Sequence, residues 1–184
     1  MDLFLQTMNE IIHHLKDYYD SFADEEGLFN AVDMILSARK VFIYGAGRSG
    51  MVGRMFAQRL MHLEKSSYYL SETITPAFTA EDCLVIISGS GETLTPAAIA
   101  RGAKKIGGKI ILLTANPSST LGQLADQLIP VKGQTKDVKQ ESLAPFTSLF
   151  DITALTVLDS LARLIMNRTG RTEVDIQRTH ATLE

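Results

Sequence analysis

The stretch that decides the fold is VFIYGAGRSGMVGRMFAQRLMH, at residues 41–62. A short apolar run leads into glycines with the spacing G-x-G-x-x-G, and an amphipathic helical pattern begins after them. A strand that passes through such a turn into a helix indicates a phosphate site at the helix N-terminus. Glu72 follows about twenty residues later, near the position at which dinucleotide enzymes place their ribose-binding acid. Two hypotheses stay open at this point, a nicotinamide dinucleotide site and a site for a smaller phosphate.

The composition limits the classes of protein to consider. A length of 184 residues favours a single domain, and a hydrophobic fraction of 45% is enough for a globular core. The net charge of −3 and the lack of a long basic run argue against a nucleic-acid partner. The sequence begins without a signal-peptide pattern, and no apolar run approaches the length of a membrane span. Since Cys83 is the single cysteine, we expect a cytoplasmic protein with no disulfide, no cysteine metal cluster and no membrane partner.

Strand and helix patterns alternate along most of the chain. Apolar runs predict five short strands, at 40–45, 66–71, 83–88, 109–114 and 127–131. Helical patterns separate most of them, at 50–63, 94–107 and 119–126. Runs that are apolar throughout indicate strands covered on both faces, and alternation with helices indicates a parallel sheet. We therefore predict an α/β fold, a three-layer α/β/α sandwich around a five-stranded parallel sheet in flavodoxin-like order.

Further helical patterns flank this α/β core. Apolar residues at steps of three and four predict helices over 3–22, 25–37 and 145–167. We interpret residues 1–184 as one domain with an N-terminal helical extension (about 1–37) and a C-terminal helical tail (about 145–184). KGQTKDVKQES, at 132–142, is the one long polar loop, and loops of this kind often border a site.

Serine, threonine and glycine residues gather where the strands end. In open parallel sheets, ligands bind at the carboxyl ends of the strands, so the residues after each strand are the candidates. The predicted phosphate-binding residues follow the first and third strands: Gly47, Arg48, Ser49, Ser88, Gly89, Ser90, Gly91, Glu92 and Thr93. Hydroxyls, backbone N–H groups and a helix N-terminus would surround a phosphate there.

The presence of two such loops favours the smaller phosphate. A dinucleotide fold uses the first loop for a pyrophosphate and needs no second one. Here the first loop offers the cation of Arg48 and the hydroxyl of Ser49 beside a second loop rich in hydroxyls, which suits a compact sugar phosphate. Each loop alone would also be explained as an ordinary strand-to-helix turn with serine or threonine caps.

Several motifs together resemble one protein family. The stretch ISGSGET, at 87–93, resembles the most specific mark of the SIS (sugar isomerase) domain family, whose members bind phosphosugars. With GAGRSGMVGRMFAQRLMHL (45–63), SETITPA (71–77) and the ending RTHATLE, the chain resembles the 6-phospho-3-hexuloisomerases of that family from about residue 3 onward.

This resemblance implies an activity and an assembly. The expected reaction interconverts D-arabino-hex-3-ulose 6-phosphate and fructose 6-phosphate through an enediol, in the ribulose monophosphate pathway of formaldehyde fixation. The expected assembly is a homotetramer with sites shared between subunits. The resemblance implies neither a metal nor an organic cofactor.

Three residues are candidates for the acid or base of an enediol reaction. The family pattern before the last long helix resembles P-L-G-T-L-F-E, whose glutamate is the expected proton acceptor. This chain has PFTSLFD, so Asp151 takes that place with a side chain one methylene shorter. Alternatively, Asp151 only stabilises the first turn of its helix. Glu72, at the end of the second predicted strand, and the imidazole of His180 are the other candidates.

Three rival functions stay open on the sequence. They are another phosphosugar isomerase of the same fold, a non-catalytic phosphosugar sensor, and the nicotinamide oxidoreductase that G-x-G-x-x-G alone would suggest. Sensors of this fold usually carry a DNA-binding helical domain, for which this sequence has no room. Product analysis, binding without turnover, and titration with the reduced cofactor would distinguish the three.

Overall fold

The computed structural model describes residues 1–133 and 141–183 of the chain. The strands are β1 (Val41–Gly45), β2 (Ser67–Tyr69), β3 (Cys83–Ile87), β4 (Lys109–Thr114) and β5 (Gln127–Pro130). The helices are α1 (Asp2–Ser21), α2 (Glu25–Ser37), α3 (Arg48–His62), α4 (Leu94–Ile106), α5 (Thr120–Leu124), α6 (Ser148–Thr169) and α7 (Glu173–Thr179). Of the predicted polar loop at 132–142, residues 134–140 lie outside the described part of the chain.

The strands form one parallel sheet in the order β2-β1-β3-β4-β5. This is the flavodoxin-like order, so the prediction for the sheet is confirmed. β1 and β3 pair along their whole lengths, from Val41 opposite Cys83 to Gly45 opposite Ile87. Their carboxyl ends are therefore level, and the two glycine-containing loops that follow them start side by side.

Helices cover both faces of the sheet. α2, α3 and α6 pack against one face, where Ile43 and Val85 lie in the core. α4 and α5 pack against the other face, where Phe42 and Ile86 are buried. Successive side chains of a strand point to opposite faces, so the apolar strands β1 and β3 contribute to both cores. The predicted three-layer α/β/α arrangement is confirmed.

Some element boundaries differ from the sequence prediction. β2 is shorter than expected and ends at Tyr69, since the chain turns at Ser71, where φ is 79°. α3 begins at Arg48, two residues earlier than predicted, because Gly47 serves as its N-cap. α6 begins at Ser148, three residues later than predicted, because Thr147 before it has a left-handed backbone with φ 63°. The last two differences both lie at the site described below.

The first helix lies on the outside of the domain. None of the residues of α1 is buried. His14 Nε2 lies 3.1 Å from Thr153 Oγ1 of α6, and the Tyr18 hydroxyl donates to the carbonyl of Pro130 at 2.8 Å. Large apolar side chains of α1 are exposed: Leu3, Phe4, Leu5, Met8, Ile12 and Tyr19. Across the described ranges, no helix has both the length and the apolar character needed to cross a bilayer.

A buried carboxylate joins β1 and β3 at the end of the sheet opposite their glycine-containing loops. Asp82 is 1% exposed and accepts hydrogen bonds from the backbone N–H of Lys40, at 3.1 Å, and from the N–H and hydroxyl of Thr79, at 2.8 and 2.9 Å. The ammonium of Lys40 lies 3.4 Å from it. Burial raises the pKa of Asp82, but the bonds from Thr79 and the charge of Lys40 outweigh it, so the pKa is lowered overall.

We predict that Asp82→Asn destabilises the fold by about 2 kcal/mol at neutral pH, because an amide cannot accept all of these bonds. Since the pKa of Asp82 is lower in the folded state, its contribution is complete above the unfolded pKa of about 4 and is lost as the pH falls through the folded pKa. Urea unfolding between pH 7 and pH 3 should show the difference from the unmodified chain shrinking in acid.

The matched control is Asp33→Asn, which removes an exposed ion pair with Arg168. Its effect should stay below about 1 kcal/mol. A stability difference for Asp82→Asn that stays constant down to pH 3 would contradict this account of the buried carboxylate.

Candidate active site

A cavity of about 300 Å³ opens at the carboxyl ends of β1 and β3. Three segments of the chain form its walls: the loop after β1, the loop after β3, and the start of α6. The lining residues are Ala46, Gly47, Arg48, Ser49, Ile87, Ser88, Gly89, Ser90, Thr93, Phe146, Thr147 and Phe150. Of the nine predicted phosphate-binding residues, all except Gly91 and Glu92 line this cavity.

Residues 45–50 are here called the glycine loop. Their glycines allow a tight turn and close packing. A Cβ on Gly50 would lie 2.6 Å from both the carbonyl oxygen of Gly45 and the hydroxyl of Tyr69. That hydroxyl donates to Gly45 O at 2.7 Å. Gly47, with φ 59°, forms the N-cap of α3 and carries no side chain to cap it. Gly47 therefore leaves the N-terminus of α3 without a side-chain cap of its own at the cavity. Arg48 and Ser49 are the first residues of this helix.

The loop after β3, here called the serine loop (residues 88–93), brings a second helix N-terminus to the cavity. Thr93 is the N-cap of α4, and within the described residues its side chain makes no capping bond. Gly91 has φ 68°, and a Cβ there would lie 1.9 Å from Ser119 Oγ, so only glycine fits. The carbonyl of Gly89 accepts from Ala115 N at 3.0 Å, which ties the loop to the end of β4.

Glu92 braces the serine loop from outside the cavity. Its carboxylate oxygens accept the backbone N–H of Thr120 at 2.8 Å and the Thr120 hydroxyl at 2.7 Å. These two bonds hold the pKa of Glu92 below its ordinary value, and the bond from the hydroxyl has the larger effect. The sequence predicts Glu92 either as a phosphate-binding residue or as a support of its own loop. The structure ties it to the start of α5, so its contacts stabilise the loop.

Asp151 is buried directly behind the wall of the cavity. It is 3% exposed and lies in the first turn of α6. Its Oδ2 accepts from Arg48 Nε at 3.0 Å and from the hydroxyl of Thr147 at 2.9 Å, while Oδ1 accepts from the hydroxyl of Ser49 at 3.0 Å. Arg48, Ser49 and Thr147 all line the cavity. The carboxylate therefore joins the glycine loop to α6.

Glu72 lies at a different place. It follows β2 and forms an ion pair with Arg54 of α3. The guanidinium of Arg54 stacks on the ring of Tyr69 at 4.1 Å. Glu72 does not line the cavity. The ribose-binding acid of a dinucleotide site would have to face a ligand on the glycine loop, whereas this carboxylate is held by an arginine of the helix.

His180 lies near the other end of α3. Its ring stacks on that of His62 at 5.3 Å between centroids, and neither residue lines the cavity. His62 ends α3, fourteen residues after Arg48, which corresponds to about 21 Å along the helix axis. His62 is buried and its Nδ1 has no hydrogen-bond partner in the described residues; burial, with minor contributions from His180 and Arg59, lowers its pKa. Within one chain, the structure does not bring His180 to Asp151.

The third wall contains residues that the sequence analysis did not assign to the site. Phe146, Thr147 and Phe150 line the cavity, and Phe146 is 60% exposed. The stretch PFTSLFD was singled out for Asp151 alone. The available signal was an aromatic residue next to a proline. Both residues lie just ahead of a helix whose first turn carries a candidate acid. That α6 closes over the glycine loop could not be read from spacing.

The arrangement favours negative charge in a cavity of limited size. Two helix N-termini, the hydroxyls of Ser88 and Ser90 and the guanidinium of Arg48 converge on the cavity, and each of them favours negative charge. The volume is at the lower end of ligand pockets and fits a sugar phosphate. In the part of the chain that is described, no three histidine, cysteine or acidic side chains cluster as metal ligands.

Comparison with known proteins identifies the family of this chain. The SIS domain model matches residues 34–162. Proteins named 3-hexulose-6-phosphate isomerase from Methanocaldococcus jannaschii and Bacillus subtilis are 38% and 35% identical, covering 97% and 95% of this chain and 96% of each relative. A Methanococcus jannaschii crystal structure, from which that same function was inferred, superposes with a TM-score of 0.83 at 36% identity, covering 100% of both chains. The chain therefore belongs to the SIS domain family.

Proposed function

We propose that this protein is an isomerase that interconverts D-arabino-hex-3-ulose 6-phosphate and fructose 6-phosphate. The observation that carries the proposal is the cavity itself, in which an anion-binding serine loop faces the buried carboxylate network of Asp151 and Arg48. Relatives at 38% and 35% identity bear the name of this isomerase, which supports the choice among phosphosugar reactions.

The phosphate binds at the serine loop. Ser88, Ser90 and Thr93 provide hydroxyls, and the first turn of α4 provides backbone N–H groups with the positive end of the helix dipole. A phosphate held there anchors the end of the sugar that does not react. Its binding energy is used to orient C2 and C3 toward the glycine loop and α6.

The reaction moves the carbonyl from C3 to C2. A base removes the proton from C2, and the electrons of that C–H bond form a C2–C3 double bond while the C3 carbonyl oxygen becomes an enediolate oxygen. The oxygen on C3 gains a proton and the hydroxyl on C2 loses one. A proton then returns to C3, which leaves the carbonyl at C2.

We assign the acid–base role to Asp151. Of the three candidates, it is the one whose carboxylate contacts residues of the cavity wall, whereas Glu72 pairs with Arg54 and His180 stacks on His62. Arg48 uses Nε for Asp151, and its side chain is 64% exposed, so its other N–H groups are available to an enediolate. Electrostatic stabilisation by Arg48 and proton transfer by Asp151 thus act from one side.

The wider setting follows from the same proposal. The reaction belongs to the ribulose monophosphate pathway of formaldehyde fixation, takes place in the cytoplasm and uses no cofactor. We propose a homotetramer as the assembly. The exposed apolar side chains of α1 supply a surface for contacts between subunits.

The test is proton exchange with the purified chain. Incubation with fructose 6-phosphate in D₂O, followed by NMR, should give the 3-hexulose phosphate and place deuterium at C3 of fructose 6-phosphate. Conversion of a different phosphosugar would favour another isomerase of the fold. Binding without exchange or a new sugar would favour a sensor and overturn the proposal.

Loss of a serine-loop hydroxyl should mainly affect binding. We predict that Ser90→Ala raises KM for fructose 6-phosphate about tenfold and changes kcat less than about threefold, because the hydroxyl contacts the non-reacting phosphate. Steady-state kinetics measures both. Ser160→Ala, an exposed site on α6, is the matched control and should leave both constants unchanged. A fall in kcat without a rise in KM would place Ser90 at the reacting carbons instead.

Loss of the Asp151 carboxylate should mainly affect turnover. We predict that Asp151→Asn lowers kcat by at least about 100-fold with little change in KM, because general acid–base catalysis contributes on this scale. Asp159→Asn serves as control, since Asp159 lies on the same helix and pairs with Arg59 on the surface. If Asp151→Asn kept full turnover, the base would have to be Glu72 or His180, which Glu72→Gln and His180→Gln would then separate.

A further inference from the structure

Thr147 has an unfavourable backbone conformation at the edge of the cavity. Its φ and ψ are 63° and −5°, in the left-handed region that glycine adopts freely and β-branched residues avoid. Strain of this kind persists where surrounding contacts compensate for it, and it concentrates at functional sites. The contacts of Thr147 are therefore informative.

Two bonds connect Thr147 to Asp151. The carbonyl of Thr147 accepts the backbone N–H of Asp151 at 3.0 Å, as in any first helical turn. The second bond is particular to the side chain, since the Thr147 hydroxyl donates to Asp151 Oδ2 at 2.9 Å. Although Thr147 is the N-cap of α6, its side chain makes no capping bond within the described residues. The hydroxyl is directed to the carboxylate instead of to the helix.

The donors around Asp151 are unequally distributed. Oδ2 receives two, from Arg48 and Thr147, and Oδ1 receives one, from Ser49. A carboxylate oxygen accepts about two hydrogen bonds, so Oδ2 is occupied and Oδ1 keeps one acceptor position among the described contacts. Without the Thr147 hydroxyl, Oδ2 would keep one donor, Arg48, whose side chain is 64% exposed, and the orientation of the carboxylate would be less tightly fixed.

We propose that Thr147 is a positioning residue for the isomerisation: its hydroxyl fixes Asp151 so that Oδ2 faces Arg48 and Oδ1 is left for proton transfer. This rests on the proposed function and adds a residue to it. A glycine at this point before α6 would adopt the left-handed backbone without strain but would carry no hydroxyl. A residue with a hydroxyl here has to accept the strained backbone.

The test compares three substitutions at one position. Thr147→Val keeps the β-branched shape and the backbone strain but removes the hydroxyl, and we expect kcat to fall about tenfold with KM changed less than threefold. Thr147→Ser keeps the hydroxyl and should restore kcat to within about threefold. Thr147→Gly relieves the strain and loses the hydroxyl, so kcat should fall as for valine, again with KM changed less than about threefold.

A fall in kcat at nearly constant KM in both Thr147→Val and Thr147→Gly, with rescue by Thr147→Ser, distinguishes positioning from a merely structural role. Thr156→Val is the matched control, because Thr156 lies exposed on α6 and donates only to Ile152 O at 2.9 Å. Full kcat in Thr147→Val would overturn the inference alone, as would full kcat in Thr147→Gly. An unmodified chain without isomerase activity would overturn the proposed function first, and the inference with it.

Discussion

The ion pair between Asp151 and Arg48 joins the beginnings of α6 and α3, and the geometry of the candidate active site depends on it. The two residues lie 103 positions apart in the chain and 3.0 Å apart at their charged atoms. Ser49 and Thr147 donate to the same carboxylate, so one buried acceptor group organises three donors that face the cavity. Because buried charged hydrogen bonds are costly to leave incomplete, the carboxylate holds the glycine loop and α6 in one arrangement.

The rest of the cavity presents groups that favour negative charge, although the chain itself has a net charge of −3. The N-termini of α3 and α4 meet there because β1 and β3 pair in register and end at the same level. Neither N-terminus carries a side-chain cap among the described residues, so no side chain competes with a ligand for the first backbone N–H groups of these helices. On the side of the serine loop away from the cavity, Glu92 and Gly91 pack against the start of α5 and hold the loop there.

Two features of the single chain lie apart from the cavity. α1 exposes a series of large apolar side chains, and His180 lies far from the cavity, stacked on His62. A homo-oligomer of the proposed kind would cover the apolar side chains of α1. Although the ending RTHATLE is distinctive in sequence, its His180 does not line the cavity of its own chain.

The order of strands and helices, the parallel sheet and the positions of both loops followed from the sequence alone, because strand and helix periodicity and the need to bury apolar faces are local signals. Seven of the nine predicted phosphate-binding residues line the cavity for the same reason. The contacts of Glu92, Glu72 and Thr147 were decided only in three dimensions. Each depends on a partner that spacing does not specify: Thr120, Arg54 or Asp151. The local pattern determines which helix, strand or loop carries a side chain. Tertiary packing determines which charged group or hydroxyl that side chain contacts.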